Sequence, residues 1–553
     1  MLHVRIRLHQ WVRTPESPRV SLPYDFLEVS HPILAVRSPG LNRRMKSQTT
    51  TLPSPFQETS RPIRLNSAQV AFRPPTYDWP VSILGVPFDN VTIDGAVERI
   101  IAMVCKRRPH YVVTANVDFL VQAREDVELR RILLEADLVL CDGTPLVWAS
   151  RLLGNPLRER VAGSDVVPRL IRKASDHGHS IFLLGAGEGV AGEAAERLRR
   201  QYPSLIIAGH HSPPFSALLE MDHEETVKRI REANPDVLLV SFGCPKQEKW
   251  IAMHYRSLGV PVVIGVGATL DFLANRVRRA PLWMQRCGME WSYRLMQEPR
   301  RLFRRYANDI LRFAPALATQ WRHLSAKPGQ AAPPARHALF FASNWIHIWA
   351  GETLTAASLM KEARFWKETS RENHHCLLDL SQVTAIDSTG AALLARWQQH
   401  LHARSRQLVL LAPSVAMRGA LKDLRLQDHF LIAADWPEAQ RMIRTVPPSA
   451  SPVTFKGGSR PLAWRGEVTA DNIEQVWQHT TGLLGSLGAI RLPMVIDLSQ
   501  LRFIDSSGLG LMLRINRWGR QHETDVRFAD PQPNVLNVLQ LARLDSVLLQ
   551  DAA

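Results

Sequence analysis

One phrase occurs twice in the last third of this chain. L-D-L-S-Q-V-T-A-I-D-S-T-G runs from Leu378 to Gly390, and I-D-L-S-Q-L-R-F-I-D-S-S-G runs from Ile496 to Gly508. Each copy is an apolar strand running into a polar turn that opens a helix. The pair therefore predicts two copies of one small α/β unit and not a long solenoid. Pro/Ala/Gly-rich intervals from Ser325 to Arg336 and from Val446 to Pro461 separate the copies from what precedes them and from each other. The 553 residues exceed what one hydrophobic core can organise, so the front part must hold a domain of a different kind.

Residues 1–76 are rich in Pro, Ser, Arg and Thr with little periodicity, which predicts a flexible basic leader. Beyond them come short β-branched runs, Tyr111–Thr114, Leu138–Cys141, Ile181–Leu184, Val237–Ser241 and Val262–Gly265, separated by helix-length segments. This alternation predicts a parallel sheet covered on both faces, a Rossmann-like α/β domain. Five scattered cysteines without a C-x-x-C pair fit neither a disulfide framework nor a zinc knot and suit a reducing cytosol. No run of about 18 apolar residues occurs, and Arg5, Arg7 and His9 interrupt the only candidate secretory core.

The net charge of +16 is concentrated in two windows. Eleven Arg/Lys stand against four acids before Pro75, and eleven against three between Arg276 and Arg322. Without zinc-finger spacing, a helix-turn-helix signature or an aromatic RNA-binding box, nucleic acid is not the expected partner. From Pro299, Leu302, Phe303, Tyr306 and Ile310 are expected to share one helix face flanked by Arg301, Arg304 and Arg305, a pattern suited to an anionic membrane surface.

Ligands of open parallel sheets bind beyond the carboxyl ends of the strands. Here those ends carry Thr114, Asn116 and Asp118; then Asp142, Gly143 and Thr144; then Gly185, Ala186 and Gly187. The fourth leads into Gly243-Cys244-Pro245-Lys246-Gln247-Glu248, and the fifth into Gly265-Val266-Gly267 with Asp271 beyond. Singly these are weak: Asp142 reads equally as a helix cap, and Gly185 with Gly187 as a tight turn. Their convergence at five successive strand ends points to a site. A nicotinamide-dependent oxidoreductase would want G-x-G-x-x-G after the first strand, which instead ends in Thr-Ala-Asn.

The ordered motifs T-A-N-V-D-F-L, A-D-L-V-L-C-D-G-T-P-L-V, R-V-A-G-S-D, F-L-L-G-A-G, G-C-P-K-Q-E-K-W-I and G-V-G-A-T-L-D-F-L, followed by R-A-P and E-W-S-Y-R-L, resemble the WecG/TagA/CpsF glycosyltransferases from about Trp79 to Phe313. The resemblance implies inverting, metal-independent transfer of an N-acetylhexosamine, typically N-acetylmannosamine, from a UDP-sugar to a polyprenyl-diphosphate-linked sugar. It implies Asp142 as catalytic base and Thr114 and Asn116 as residues that orient the sugar. Substrate contacts would come from Gly143, Gly163, Ser164, Asp165, Gly185, Gly187, Pro245, Lys246, Gln247, Glu248, Gly265 and Gly267, with Asp271 on the uracil edge. No D-x-D pair is present to hold a metal, so arginines must neutralise the leaving diphosphate, and Arg294, Arg301 and Arg304 match the family's appendage arginines. No cofactor is expected. In one departure, His211-Ser212-Pro213-Pro214-Phe215 places a proline where family members carry an aromatic.

The repeated pattern resembles STAS domains, the fold of anti-sigma-factor antagonists. By that resemblance Thr389 and Ser507 occupy the phosphorylatable position, at a helix start where a hydroxyl also serves as a cap. A regulatory protein or kinase is then the expected partner, docking through the exposed helix face. The expected organisation is a leader at 1–76, a transferase at 77–324 with a basic appendage from about 283, and STAS domains at 337–445 and 453–553. The enzyme is expected in the cytoplasm, peripheral at the inner face of the membrane. A second reading keeps the same folds as a regulatory scaffold that binds a nucleotide sugar without turning it over.

Overall fold

The computed structural model describes residues 79–549 except 287–288, 298, 325–335, 341–344, 370–373, 446–452, 456–461 and 487–493. The expected leader and most of both linkers lie outside the described residues. A hairpin of β1 (Val81–Ile83) and β2 (Val86–Phe88) precedes β3 (His110–Ala115), β4 (Leu138–Cys141), β5 (Ser180–Gly185), β6 (Ile206–His211), β7 (Val237–Ser241) and β8 (Val262–Gly265). These last six form one parallel sheet in the order β4-β3-β8-β7-β5-β6.

Alternate residues of each strand enter different cores. Val112, Leu138, Leu183, Leu239 and Ile264 face one side, and Val113, Val139, Leu184, Val240 and Val263 the other. Both sides are apolar because helices cover both: α1 (Ile93–Lys106), α2 (Val117–Ala123), α3 (Val127–Glu135), α4 (Thr144–Leu152), α5 (Gly163–His177), α6 (Val190–Gln201), α7 (His223–Ala233), α8 (Lys246–His254) and α9 (Thr269–Leu273). The basic appendage folds as α10 (Leu282–Arg286), α11 (Glu290–Gln297) and the long α12, which starts at Pro299 and ends at Leu324.

The inward face of α12 differs from the expected one. Leu302, Asp309, Phe313, Ala316, Gln320 and Leu324 are buried at three- and four-residue spacing, with Tyr306 part-buried in the same row, while Phe303 and Ile310 point outward. Two polar residues on the inner row explain the mismatch. Gln320 donates to Ser82 O and accepts from Leu84 N, both at 2.8 Å, satisfying backbone groups of the β1–β2 hairpin.

The first repeat contains β9 (Arg336–Phe340), β10 (Trp345–Trp349), β11 (Thr353–Leu354), β12 (His375–Asp379), β13 (Ala385–Ile386), β14 (Leu408–Leu411) and β15 (Leu431–Ala433), with α13 (Ala356–Lys361), α14 (Ala363–Thr369), α15 (Ser388–His402), α16 (Val415–Asp423) and α17 (Trp436–Thr445). The second contains β16 (Val453–Phe455), β17 (Leu462–Val468), β18 (Met494–Ile504) and β19 (Val526–Ala529), with α18 (Ile473–Ser486), α19 (Ser506–Gln521), α20 (Pro533–Leu541) and α21 (Asp545–Leu548). Their main sheets run β15-β14-β12-β10-β9 and β16-β17-β18-β19, each with one antiparallel edge strand.

The repeated turn is explained locally. Asp387 accepts from Thr389 N at 2.8 Å and Gly390 N at 3.0 Å, capping α15, and its other oxygen accepts from Ala356 N at 2.7 Å. Asp505 does the same with Gly508 N at 2.9 Å and Ala470 N at 3.0 Å. The motif glycines let the first helical turn approach a neighbouring strand: a Cβ on Gly390 would lie 2.0 Å from Leu354 O, and one on Gly508 2.9 Å from Val468 O.

Contrary to expectation, these turns do not face solvent. The described residues form one compact unit, in which α15 lies on the β1–β2 hairpin and α3, α16 on α12, α20 on α3, and α19 on α8. Ser388, Thr389, Ser506 and Ser507 are all buried, Thr389 and Ser507 being 2% and 6% exposed. Arg396 of α15, itself buried, donates to Pro87 O at 3.0 Å, Ala136 O at 2.5 Å and Asp89 Oδ2 at 2.5 Å. Leu134 and Leu324 of the front domain belong to the hydrophobic core of the first repeat.

Candidate active site

Beyond the carboxyl ends of β3, β4, β7 and β8 lies a cleft of about 640 Å³, within the size range of small-molecule sites. Asp142 follows β4 and is part-buried in the lining, with Gly163 N donating to its Oδ2 at 3.4 Å. Burial raises its carboxyl above the usual range, and Arg160 and Arg294 oppose that rise without cancelling it.

The arginines around Asp142 are themselves organised. Arg160 reaches Asp165 at 2.5 Å and Glu290 at 2.9 Å, and Arg279 reaches the same two carboxylates at 2.8 and 3.4 Å. Burial alone would raise Glu290, but Arg279 and Arg160 hold it below the usual range. Glu290 also sits 3.8 Å from Arg294, so one buried carboxylate joins the appendage to the loop before α5.

Two loops are fixed by side-chain to backbone bonds. Thr114 Oγ1 donates to Gly265 O at 2.9 Å, tying β3 to β8. Gln247, 1% exposed, accepts from Gly267 N at 3.1 Å and donates to Glu248 Oε1 at 2.7 Å. Burial pushes Glu248 up to about 7. Asn116 caps α2 through Phe119 N at 3.4 Å, and burial raises Asp271.

The appendage forms the far wall. Arg294, Gln297, Leu302, Arg305 and Tyr306 line the cleft opposite Asp118, Asp142 and Phe272. Arg305 lies 3.9 Å from Asp118 and 4.0 Å from Asp309, and the Arg294 guanidinium stands 5.0 Å from the centre of the Phe272 ring. Burial and Asp118 push Asp309 up to about 6. Among the described residues no three His, Cys, Asp or Glu are grouped to hold a metal ion.

Of the residues singled out from sequence, Thr114, Asn116, Asp142, Ser164, Gln247, Gly267, Asp271 and Arg294 meet in this cleft. Gly143, Gly163, Asp165, Pro245, Lys246, Glu248 and Gly265 stand beside lining residues without lining the cleft themselves, and Gly185 with Gly187 follow β5, whose loop is not in the lining. Asp165 is engaged by two arginines, and Lys246 donates to Ser216 O at 2.6 Å near the exposed Phe215 ring. The Arg301 side chain lies outside the described residues. Arg304 is exposed and lines a separate apolar groove with Met296, Pro299, Arg300 and Phe303. Arg305 takes the place in the cleft expected for Arg304. It lies three residues after the buried Leu302 and next to Tyr306, whereas Arg304, two residues from each, projects away. The helical spacing of Leu302, Tyr306, Asp309 and Phe313 was the signal that could have found it.

The profile described as the glycosyl transferase WecG/TagA/CpsF family matches residues 81–327. Relatives from Staphylococcus aureus strains MW2 and MRSA252, each named N-acetylglucosaminyldiphosphoundecaprenol N-acetyl-beta-D-mannosaminyltransferase, are 33% identical over 226 residues, 40% of this chain and 87% of theirs. The chain belongs to the WecG/TagA/CpsF family of glycosyltransferases. A profile described as Mlab, STAS domain matches 353–433 and 453–550, so this WecG/TagA/CpsF enzyme carries two STAS domains behind its transferase domain. Its last transferase helix, α12, runs directly into the packing of the first of them.

Proposed function

We propose that this glycosyltransferase moves an N-acetylhexosamine, N-acetylmannosamine first among candidates, from a UDP-sugar to a polyprenyl-diphosphate-linked N-acetylglucosamine in bacterial surface-polysaccharide assembly. The reading is carried by one observation: a part-buried carboxylate, Asp142, shares a cleft with Arg294 and Arg305 of the appendage. Inverting transfer requires the acceptor hydroxyl to lose its proton as its oxygen attacks the anomeric carbon and the bond to UDP breaks. Asp142 takes that proton, helped by the raised affinity that burial gives it. The departing diphosphate gains negative charge, which Arg294 and Arg305 offset from the wall of the cleft. Thr114 and Gln247, both locked by backbone contacts, keep the β8 loop in shape against the donor.

The lipid acceptor has to be met at a membrane. No helix among the described residues is long and apolar enough to cross one. The outer face of the appendage instead exposes Trp283, Trp291, Met296, Phe303, Ile310 and Leu311 beside Arg300 and Arg304, which suits the anionic inner face of the cytoplasmic membrane. The deciding experiment follows product by mass spectrometry from UDP-N-acetylmannosamine and a short-chain polyprenyl-diphosphate-GlcNAc. Asp142→Asn is expected to lower turnover by about 10²- to 10⁴-fold while UDP-sugar binding persists. Full turnover in that variant would refute Asp142 as base.

A further inference from the structure

The signature turn of the second STAS domain is occupied by the transferase domain itself. Glu128 of α3, only 2% exposed, accepts from Ser506 N at 2.6 Å and from Ser506 Oγ at 2.8 Å, placing its charge on the N-terminus of α19. The same carboxylate lies 2.9 Å from Lys249 Nζ, which also reaches Asp126 at 2.8 Å. Burial works against the Lys249 charge, and Glu128 and Asp126 more than offset it.

Lys249 stands two residues beyond Gln247 on α8. At about 100° per residue the two side chains leave opposite sides of that helix. One side is tied to the STAS domain through Glu128, and the other holds Gly267 N in the cleft at 3.1 Å. A single short helix thus has the STAS signature turn on one flank and the donor loop on the other.

We propose that the second STAS domain works in cis, as a positioning module: Ser506 and Lys249 meet at Glu128, and the docked domain thereby sets the pose of α8, Gln247 and the Gly267 loop. Glu128 and Lys249 are positioning residues, not catalytic ones. The proposal rests on reading the cleft as the nucleotide-sugar site. The junction already gathers Glu128 and Asp126 on one lysine, and burial with Glu128 pushes Asp505 up to about 7 against the opposing pull of Arg131. A further negative group at position 506 would face Glu128 directly and drive the surfaces apart.

The test uses the full chain and three variants: Ser506→Asp, Ser506→Asp combined with Glu128→Gln, and Lys249→Gln. Amide hydrogen exchange reads docking, and steady-state kinetics read the KM for UDP-sugar separately from that for the lipid acceptor. Ser506→Asp is expected to speed exchange across α8 and the first turn of α19 at least tenfold. It should raise the donor KM at least fivefold, with the acceptor KM within twofold. Adding Glu128→Gln, whose amide can donate to the introduced carboxylate, should bring both readouts back to within about threefold of the parent. Lys249→Gln should raise the donor KM while α19 stays protected. Unchanged exchange in Ser506→Asp, or faster exchange with an unchanged donor KM, would overturn the proposal, as would no recovery in the double variant. A variant that merely folded poorly would lose active enzyme without the donor-specific change. If the parent chain turned over no UDP-sugar, calorimetric binding of UDP would replace the donor KM. The failed reading would then be that of glycosyl transfer, and the cis coupling would still be decided.

Discussion

Replacing Arg396 by methionine tests how firmly the first STAS domain is built into the enzyme. Arg396 is 8% exposed, and its guanidinium makes three bonds across the interface, to Pro87 O, Ala136 O and Asp89 Oδ2. Methionine keeps most of the buried stem, so the loss is electrostatic. Removing one partner of a buried pair costs about 3–5 kcal/mol. Asp89 keeps Val139 N at 2.8 Å and Arg99 at 3.4 Å, which places the expected cost near the lower end, about 3 kcal/mol. At about 1.4 kcal/mol per tenfold, that is roughly a hundredfold faster opening. Native-state hydrogen exchange on the amides of β1, β2 and α15 is the suitable assay, because a chain of several modules has no single unfolding free energy. Arg396→Met combined with Asp89→Asn should cost less than the sum of the two single changes. Less than threefold faster exchange in Arg396→Met, or strict additivity in the double variant, would refute the claim that this ion pair fastens the domains.

Three further outcomes are expected. Because burial raises the folded-state affinity of Asp142 for its proton, the acid limb of the kcat/KM profile should lie above the ordinary carboxylate range; turnover falls as pH drops through it, and Asp142→Asn should abolish that limb. Arg305→Ala should lower kcat at least tenfold with liposome binding unchanged, whereas Arg304→Ala should weaken sedimentation with anionic liposomes and spare kcat in detergent-solubilised assays. Phe303→Ser together with Ile310→Ser should weaken liposome binding about a hundredfold, from roughly 1.5 kcal/mol of apolar burial at each side chain.

Five of the six strands of the transferase sheet were legible because β-branched runs buried on both faces leave a continuous apolar record, which the exposed to part-buried β6 lacks, and the repeated turn was legible because Asp387 and Asp505 cap their helices through local bonds. Asp142, Asn116 and Gln247 were legible as residues that follow strands. The register of α12 was not. An apolar stripe of Leu302, Phe303, Tyr306 and Ile310 fits the sequence as well as the observed row, and what selects the latter is Asp309 facing the Asp118–Arg305 cluster and Gln320 completing a distant hairpin. Both are tertiary bonds that periodicity does not record. Nor could the sequence reveal that the hydroxyls of the repeated turn are covered. Ser506 meets a carboxylate 378 positions away, and Asn155 donates to Ser388 Oγ at 2.8 Å across 233 positions.

The sharing of Leu134 and Leu324 with the core of the first STAS domain bears on how this enzyme can be dissected. A protease that cut between residues 325 and 335 would separate the domains on a gel but not in solution. Pulling the halves apart would lay open the leucines and the Gln320-satisfied hairpin as a raw, sticky wound, inviting precipitation before any assay could begin.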